Sequence, residues 1–173
     1  QSVLTLRHPG SGRALLGLLE TSKISPLLLS PVTYMNLFHS LMSSLNRYRL
    51  IPDRMTGTDY MHRYYLFLKD RANFPFNVTL HKIVKSDEPF LHDHPWPYMT
   101  IILKGGYWEN TPEGRTWKGP GSVIKRGAQE FHWLELENEQ PVTTLFFMGP
   151  QQREWGFLDC GEWIHHKEFL YGR

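Results

Sequence analysis

The sequence predicts an all-β domain of antiparallel strands carrying a helical extension at its N-terminal side. Three observations carry that prediction. From Met61 onward, short runs rich in β-branched and aromatic residues alternate with turn residues. No stretch of helical period lies between those runs to build parallel crossovers. Helical spacing is instead confined to the part of the chain before Pro52. We therefore divide the chain into an extension, residues 1–52, and a β domain, residues 53–173, closed as a sandwich or barrel.

Each element has a local reason. Between Ser30 and Tyr48, apolar side chains fall at Tyr34, Leu37, Phe38, Leu41 and Leu45, the three-and-four spacing of an amphipathic helix. Ser30 supplies an N-cap oxygen, and Pro31 occupies the first helical position, where its missing N–H had no intrahelical partner. We expect the apolar stripe to pack as core and the helix to cover an edge or face of the sheet. The predicted strands are Tyr64 to Leu68, Phe76 to Val84, Tyr98 to Leu103, Ser122 to Lys125, Phe131 to Glu137 and Val142 to Met148. Gly105-Gly106, Pro112-Glu113-Gly114, Gly119-Pro120-Gly121 and Gly149-Pro150 separate strands with turn chemistry.

Composition narrows the functional classes. A formal charge of +2, with Lys and Arg scattered along 173 residues, lacks the footprint of a dedicated nucleic-acid binder. Cys160 is the only cysteine, so neither an intrachain disulfide nor a Cys-rich zinc site can form, which fits a cytoplasmic setting. The apolar run Ala14 to Leu19 is too short to span a bilayer, and we expect no membrane segment. The expected partner is a small molecule, with self-association into a homo-oligomer left open.

The strongest chemical signal is Leu91-His92-Asp93-His94-Pro95-Trp96. Residues two apart on a strand project to one side of the sheet, so His92 and His94 share a face. Two imidazoles facing a barrel interior are best explained by a cation between them. His132 lies in Phe131-His132-Trp133-Leu134-Glu135-Leu136, a later strand whose same-face neighbours Leu134 and Leu136 read as buried, and it is the expected third ligand.

These motifs resemble the cupin superfamily over about Phe76 to Phe157. The family's first motif has His-x-His, then a glutamate and a glycine; its second supplies one more histidine from a later strand. Gly105 or Gly106 stands where the first motif's glycine would be, and Gly121 and His132 match the start and the ligand of the second. The resemblance implies a cupin-type antiparallel β-barrel, or jelly roll, with a divalent metal on His92, His94 and His132. Two departures matter. Tyr98 or Met99 stands where the family usually places its glutamate ligand, and Gly127, Gln129 and Leu136 loosen the second motif. A three-histidine set without the glutamate resembles that of the thiol dioxygenases, which use iron(II). The string His92 to Trp96, with Gly105-Gly106-Tyr107 and Arg153-Glu154-Trp155-Gly156, is also similar to uncharacterised cupins of bacteria and phages.

On that resemblance iron(II) is the favoured ion, while zinc, manganese or nickel would look the same in sequence. Three neutral imidazoles leave the charge of the ion uncompensated, and an anionic chelating substrate would suit it. The leading expectation is an iron-dependent oxygenase acting on a small anionic substrate, with Tyr98 as a donor of a hydrogen bond or proton. A binding or structural cupin, one of viral origin included, and a metal-free sugar epimerase or isomerase are the alternatives. Other candidates each have a duller explanation. His81 reads as a hydrogen-bonded core residue, Glu109 as an exposed acid on a hairpin unless it replaces the missing carboxylate, and Glu130 as a surface charge. Trp96, Tyr107, Trp108 and Trp133 surround the motifs and read as packing or cavity lining. Adjacent His165 and His166 would diverge on a strand. His8, His39 and His62 show no ligand spacing.

Overall fold

A computed structural model describes residues 30–69 and 74–172; His8 and the Ala14 to Leu19 run lie outside them. The first helix, α1, runs Pro31–Ser44, with the Ser30 hydroxyl accepting the Thr33 N–H at 3.2 Å and Pro31 in the first turn. Asn46, at φ 53°, ends it in the left-handed conformation that its short amide side chain tolerates. Its buried face is not the expected stripe. Tyr34, Leu37, Leu41 and Leu45 are each more than half exposed, while Met42 is buried. Phe38 packs on Tyr64 with ring centroids 5.1 Å apart, and the His39 ring meets Tyr48 at 4.6 Å. The helix does lie on an edge of the sheet, through Phe38, His39 and Met42.

Eleven strands follow among the described residues: β1 Tyr48–Pro52, β2 Asp59–Tyr65, β3 Asn77–Ile83, β4 Tyr98–Lys104, β5 Tyr107–Thr111, β6 Gly114–Lys118, β7 Val123–Arg126, β8 Trp133–Leu136, β9 Val142–Met148, β10 Gly156–Asp159 and β11 Glu162–His165. A short helix, α2 His166–Tyr171, comes last. Every pairing is antiparallel. The large sheet has the order β1-β2-β3-β9-β4-β7, and the smaller ones are β6-β5-β8 and β10-β11. The all-β antiparallel architecture is the expected one, but the ladder does not close into the continuous barrel that the sequence predicts and is instead built of separate sheets. The large sheet already begins at Tyr48, ahead of the boundary expected near Pro52.

The core lies between the large sheet and β6-β5-β8, where Met61, Ile83, Ile102, Ile124 and Val142 meet Tyr107, Leu134 and Leu136. Alternation along β3, β4 and β9 supplies Ile83, Ile102 and Val142, each worth about 1.5–3 kcal/mol of burial. The β4-to-β5 turn needs glycine at Gly105, where φ is 76° and a Cβ would stand 2.8 Å from the Pro141 carbonyl. No helix among the described residues is long and apolar enough to cross a membrane.

Candidate metal centre

The two histidine motifs meet because their backbones pair. The His92 N–H donates to the His132 carbonyl and the His132 N–H to the His92 carbonyl, both at 3.0 Å, and His92 also bridges to Phe157. His92 and His94 do not sit on a regular strand as expected. They belong to an extended segment outside the regular strands, paired on one side with His132 and on the other with β10 through Leu91 and Asp93, and His132 lies just before β8. Extended backbone still alternates, so both imidazoles point one way while Asp93 points the other.

Asp93 is fully buried and anchors the segment. Its carboxylate accepts the Gly156 N–H at 2.7 Å and the Trp163 indole N–H at 3.1 Å, and pairs with Arg153 at 3.3 Å. Gly156 is required there: an added Cβ would collide with the Ile164 carbonyl and the Trp163 ring.

One ligating atom from each of His92, His94 and His132 lies within 4.8 Å of the other two. The Nε2 atoms of His94 and His132 are 2.8 Å apart. Burial, reinforced by the neighbouring imidazoles, holds His94 well below the ordinary histidine range, and burial lowers His92 too. Rings kept unprotonated by burial present lone pairs, the form a metal binds. The Phe90 carbonyl, 3.2 Å from His92 Nδ1, accepts that ring's N–H.

Glu109 completes the arrangement, though not as a ligand and not as an exposed acid. It projects from β5 with 1% of its surface exposed, and its Oε1 lies 3.2 Å from His132 Nδ1. It accepts the Nδ1–H, which leaves the Nε2 lone pair of His132 facing His94. Arg126 holds both Glu109 oxygens, at 3.1 and 2.8 Å, and Lys118 stands 3.8 Å away. Burial pushes the Glu109 carboxyl upward, but the hydrogen bonds from His132 and Arg126 prevail and hold it at about 2. Tyr98, at the start of β4 and 7% exposed, places its hydroxyl 3.1 Å from His132 Nε2; burial raises its pKa well above the usual value, so it stays a phenol.

The imidazoles of His92 and His94 open onto a cavity of about 260 Å³, also walled by Tyr60, Trp96, Trp155 and Phe157. Tyr107 is buried core, and Trp108 packs outside on Trp117 at 5.4 Å. His81 is a core histidine, as expected: it is 5% exposed and its Nε2 lies 2.9 Å from Thr79 Oγ1. Glu130 is half exposed and pairs with Arg126. His39 and His62 pair with the hydroxyls of Tyr64 and Tyr48. His165 and His166 do not diverge, because β11 turns into α2 between them; their rings lie 4.3 Å apart and group with Glu154.

Sequence reasoning missed Asp93, Trp155 and two cavity arginines, Arg54 and Arg63. Asp93 was accessible from the alternation that defined the histidine pair. Arg63 was not, because the strand holding it was placed at Tyr64 to Leu68 instead of Asp59–Tyr65.

No family model matches the sequence, and no curated protein matches it. Solved structures do. The polyketide cyclase RemF from Streptomyces resistomycificus is similar at a TM-score of 0.50 and 17% identity, covering 59% of this chain and 73% of its own. An RmlC-like cupin from Ralstonia eutropha gives 0.48 at 18% identity over 69% of this chain and 73% of its own. A sugar phosphate isomerase of the cupin superfamily from Silicibacter pomeroyi gives 0.46 at 16% over 65% and 74%. At these identities the likeness concerns architecture alone, and the site must be read from its own residues.

Proposed function

We propose that this protein is a metal-dependent enzyme in which His92, His94 and His132 hold one divalent ion and the adjoining cavity holds a small anionic substrate. The observation that carries the reading is the convergence of three imidazole nitrogens within 4.8 Å at the edge of a cavity, with Glu109 orienting one of them. A set of three nitrogen donors suits iron(II) and also fits zinc, manganese or nickel. Bound there, the ion would supply Lewis acidity and, if iron, oxygen chemistry. Iron(II) oxygenase chemistry is our first choice, because the fourth, glutamate ligand of the usual cupin set is absent at Tyr98 and Met99.

The chain's own residues perform recognisable tasks. Glu109 fixes the tautomer of His132, and Arg126 keeps Glu109 ionised and in place. Tyr98 keeps its proton and offers it beside His132 Nε2, so we assign it as the hydrogen-bond or proton donor to a bound substrate. Trp96, Trp155 and Phe157 limit water around the reacting atoms. Measuring oxygen uptake by the iron(II)-loaded protein across thiol and carboxylate substrates tests the reading. Turnover that disappears in His94→Ala and drops at least about tenfold in Tyr98→Phe is expected. Silence across the panel with iron bound would contradict it.

A second reading has one specific observation in its favour. Tyr98 and His132 lie within hydrogen-bond distance, a phenol beside an imidazole, which is the acid and base pairing of a metal-free isomerase. Isomerisation of a sugar nucleotide by chelator-treated protein would favour it.

A further inference from the structure

The cavity wall holds two arginines that the metal centre does not use. Arg63 lies on β2 on the same face as Met61, which belongs to the core, so its side chain points inward. Across the ladder it stands opposite His81, and its Nε–H donates to His81 Nε2 at 3.1 Å. His81 is itself fixed by Thr79 and by stacking on Phe146 at 4.9 Å. That bond fixes one edge of the guanidinium. Both terminal amino groups remain without a hydrogen bond or ion pair among the described residues, on a side chain that is half buried and borders the cavity.

Arg54 approaches from the mouth. Its turn is built by Asp53, whose Oδ1 accepts the Met55 and Thr56 N–H groups at 2.9 and 2.7 Å. The Arg54 guanidinium lies 4.0 Å over the Trp155 ring, whose plane is stacked on His166 at 4.5 Å. A guanidinium lying face-on to an indole keeps its N–H edge free for an anion. No carboxylate among the described residues pairs with Arg54.

The acids of the wall are already engaged. Asp53 pairs with Lys85 at 3.0 Å, Glu88 with the same ammonium at 3.4 Å. Asp87 accepts the Tyr60 hydroxyl at 2.6 Å and the Leu134 N–H at 2.7 Å. Formally, these three carboxylates are balanced by Lys85 and the two guanidiniums. A dication on the imidazoles would then lack any counter-charge in the cavity.

We propose that Arg63, supported by Arg54, is the anchor for a carboxylate or phosphate group carried by the substrate, away from the atoms that meet the metal. The inference rests on the metal-centre reading for its charge balance and adds the recognition element. The planar fork of Arg63 fits the two oxygens of such a group. A cavity of about 260 Å³ limits the occupant to a small organic anion. His81 is a positioning residue that aims the fork.

The test is calorimetric titration of full-length, cobalt(II)-loaded protein with succinate, butyrate and inorganic phosphate, repeated on metal-free protein. Cobalt absorption bands report metal occupancy independently. In the wild type we expect succinate to bind at least about tenfold more tightly than butyrate, and Arg63→Gln to abolish that preference while the cobalt bands stay unchanged. Arg63→Lys keeps the charge without the fork and should bind several-fold more weakly than wild type; it carries the test if Arg63→Gln does not fold. Relative affinity for phosphate and succinate identifies the head group. Undiminished succinate binding by either variant, or no anion binding by cobalt-loaded wild type, overturns the inference. Protein that takes up no cobalt refutes the metal reading alone; the arginine claim then stands or falls on the metal-free titration, where the Arg63 variants must still lose affinity.

Discussion

Replacing Glu109 by glutamine isolates the residue that aims His132 without emptying its space. The amide can still accept the His132 Nδ1–H, but it loses the negative charge that strengthens that bond and that Arg126 grips with two contacts at 3.1 and 2.8 Å. Partners that orient a metal-binding histidine are worth roughly 10–100-fold in metal affinity, or about 1.4–2.7 kcal/mol. Folding should suffer as well, because Arg126 loses its buried counter-ion, and breaking a buried pair costs about 3–5 kcal/mol when one charge is simply removed. The glutamine retains part of the hydrogen bonding, so we expect a loss toward the lower end of that range. A competition titration against a chromophoric chelator gives the affinity, and urea unfolding of the metal-free protein gives the stability. Glu109→Gln protein that is folded, and binds metal within threefold of wild type, would refute the claim that Glu109 sets the His132 lone pair.

Other outcomes follow from the same geometry. Asp93→Ala leaves the Gly156 N–H, the Trp163 N–H and Arg153 without their shared acceptor, and should lower stability by about 3 kcal/mol and weaken metal binding; chelator competition and urea unfolding read both. Ile102→Ala empties a site 1% exposed between the sheets and should cost about 2–4 kcal/mol with metal affinity per folded molecule unchanged. For Asp53, burial opposes ionisation, but the Thr56, Lys85 and Met55 hydrogen bonds hold the carboxyl at about 2 against an ordinary 3.8. A depressed folded-state pKa means that its stabilisation is complete above about pH 4 and lost as pH falls through about 2. Asp53→Asn should therefore flatten the acid limb of the urea stability profile by about 1–2 kcal/mol.

How far the sequence reached depends on which forces set each feature. The strands β3, β4 and β9 were legible because they are rich in β-branched and aromatic residues and turn residues bound them, even though Thr79, His81, Thr100 and Thr144 occupy inward positions. The β5-β6 hairpin hid behind charged and polar faces; its Trp108 and Trp117 pack on each other outside the core, and only the Pro112-Glu113-Gly114 turn marked it. The α1 stripe misled because a helix resting on a sheet edge buries whichever side the edge accepts, here Phe38, His39 and Met42. The convergence of His92, His94 and His132 was legible because a repeated residue type at alternating spacing survives small errors of register. Glu109 was weighed and misjudged, since its burial depends on Arg126 and His132, partners far away in sequence. Arg63 could not be placed without the true limits of β2.

The centre itself is tested most directly by elemental analysis of purified protein after dialysis, run beside His94→Ala. Close to one divalent transition-metal ion per chain is expected in the first and almost none in the second, with both proteins folded. Equal metal content in the two, or a folded wild type that retains no ion from any of iron, zinc, manganese or nickel when supplied with each, would contradict it.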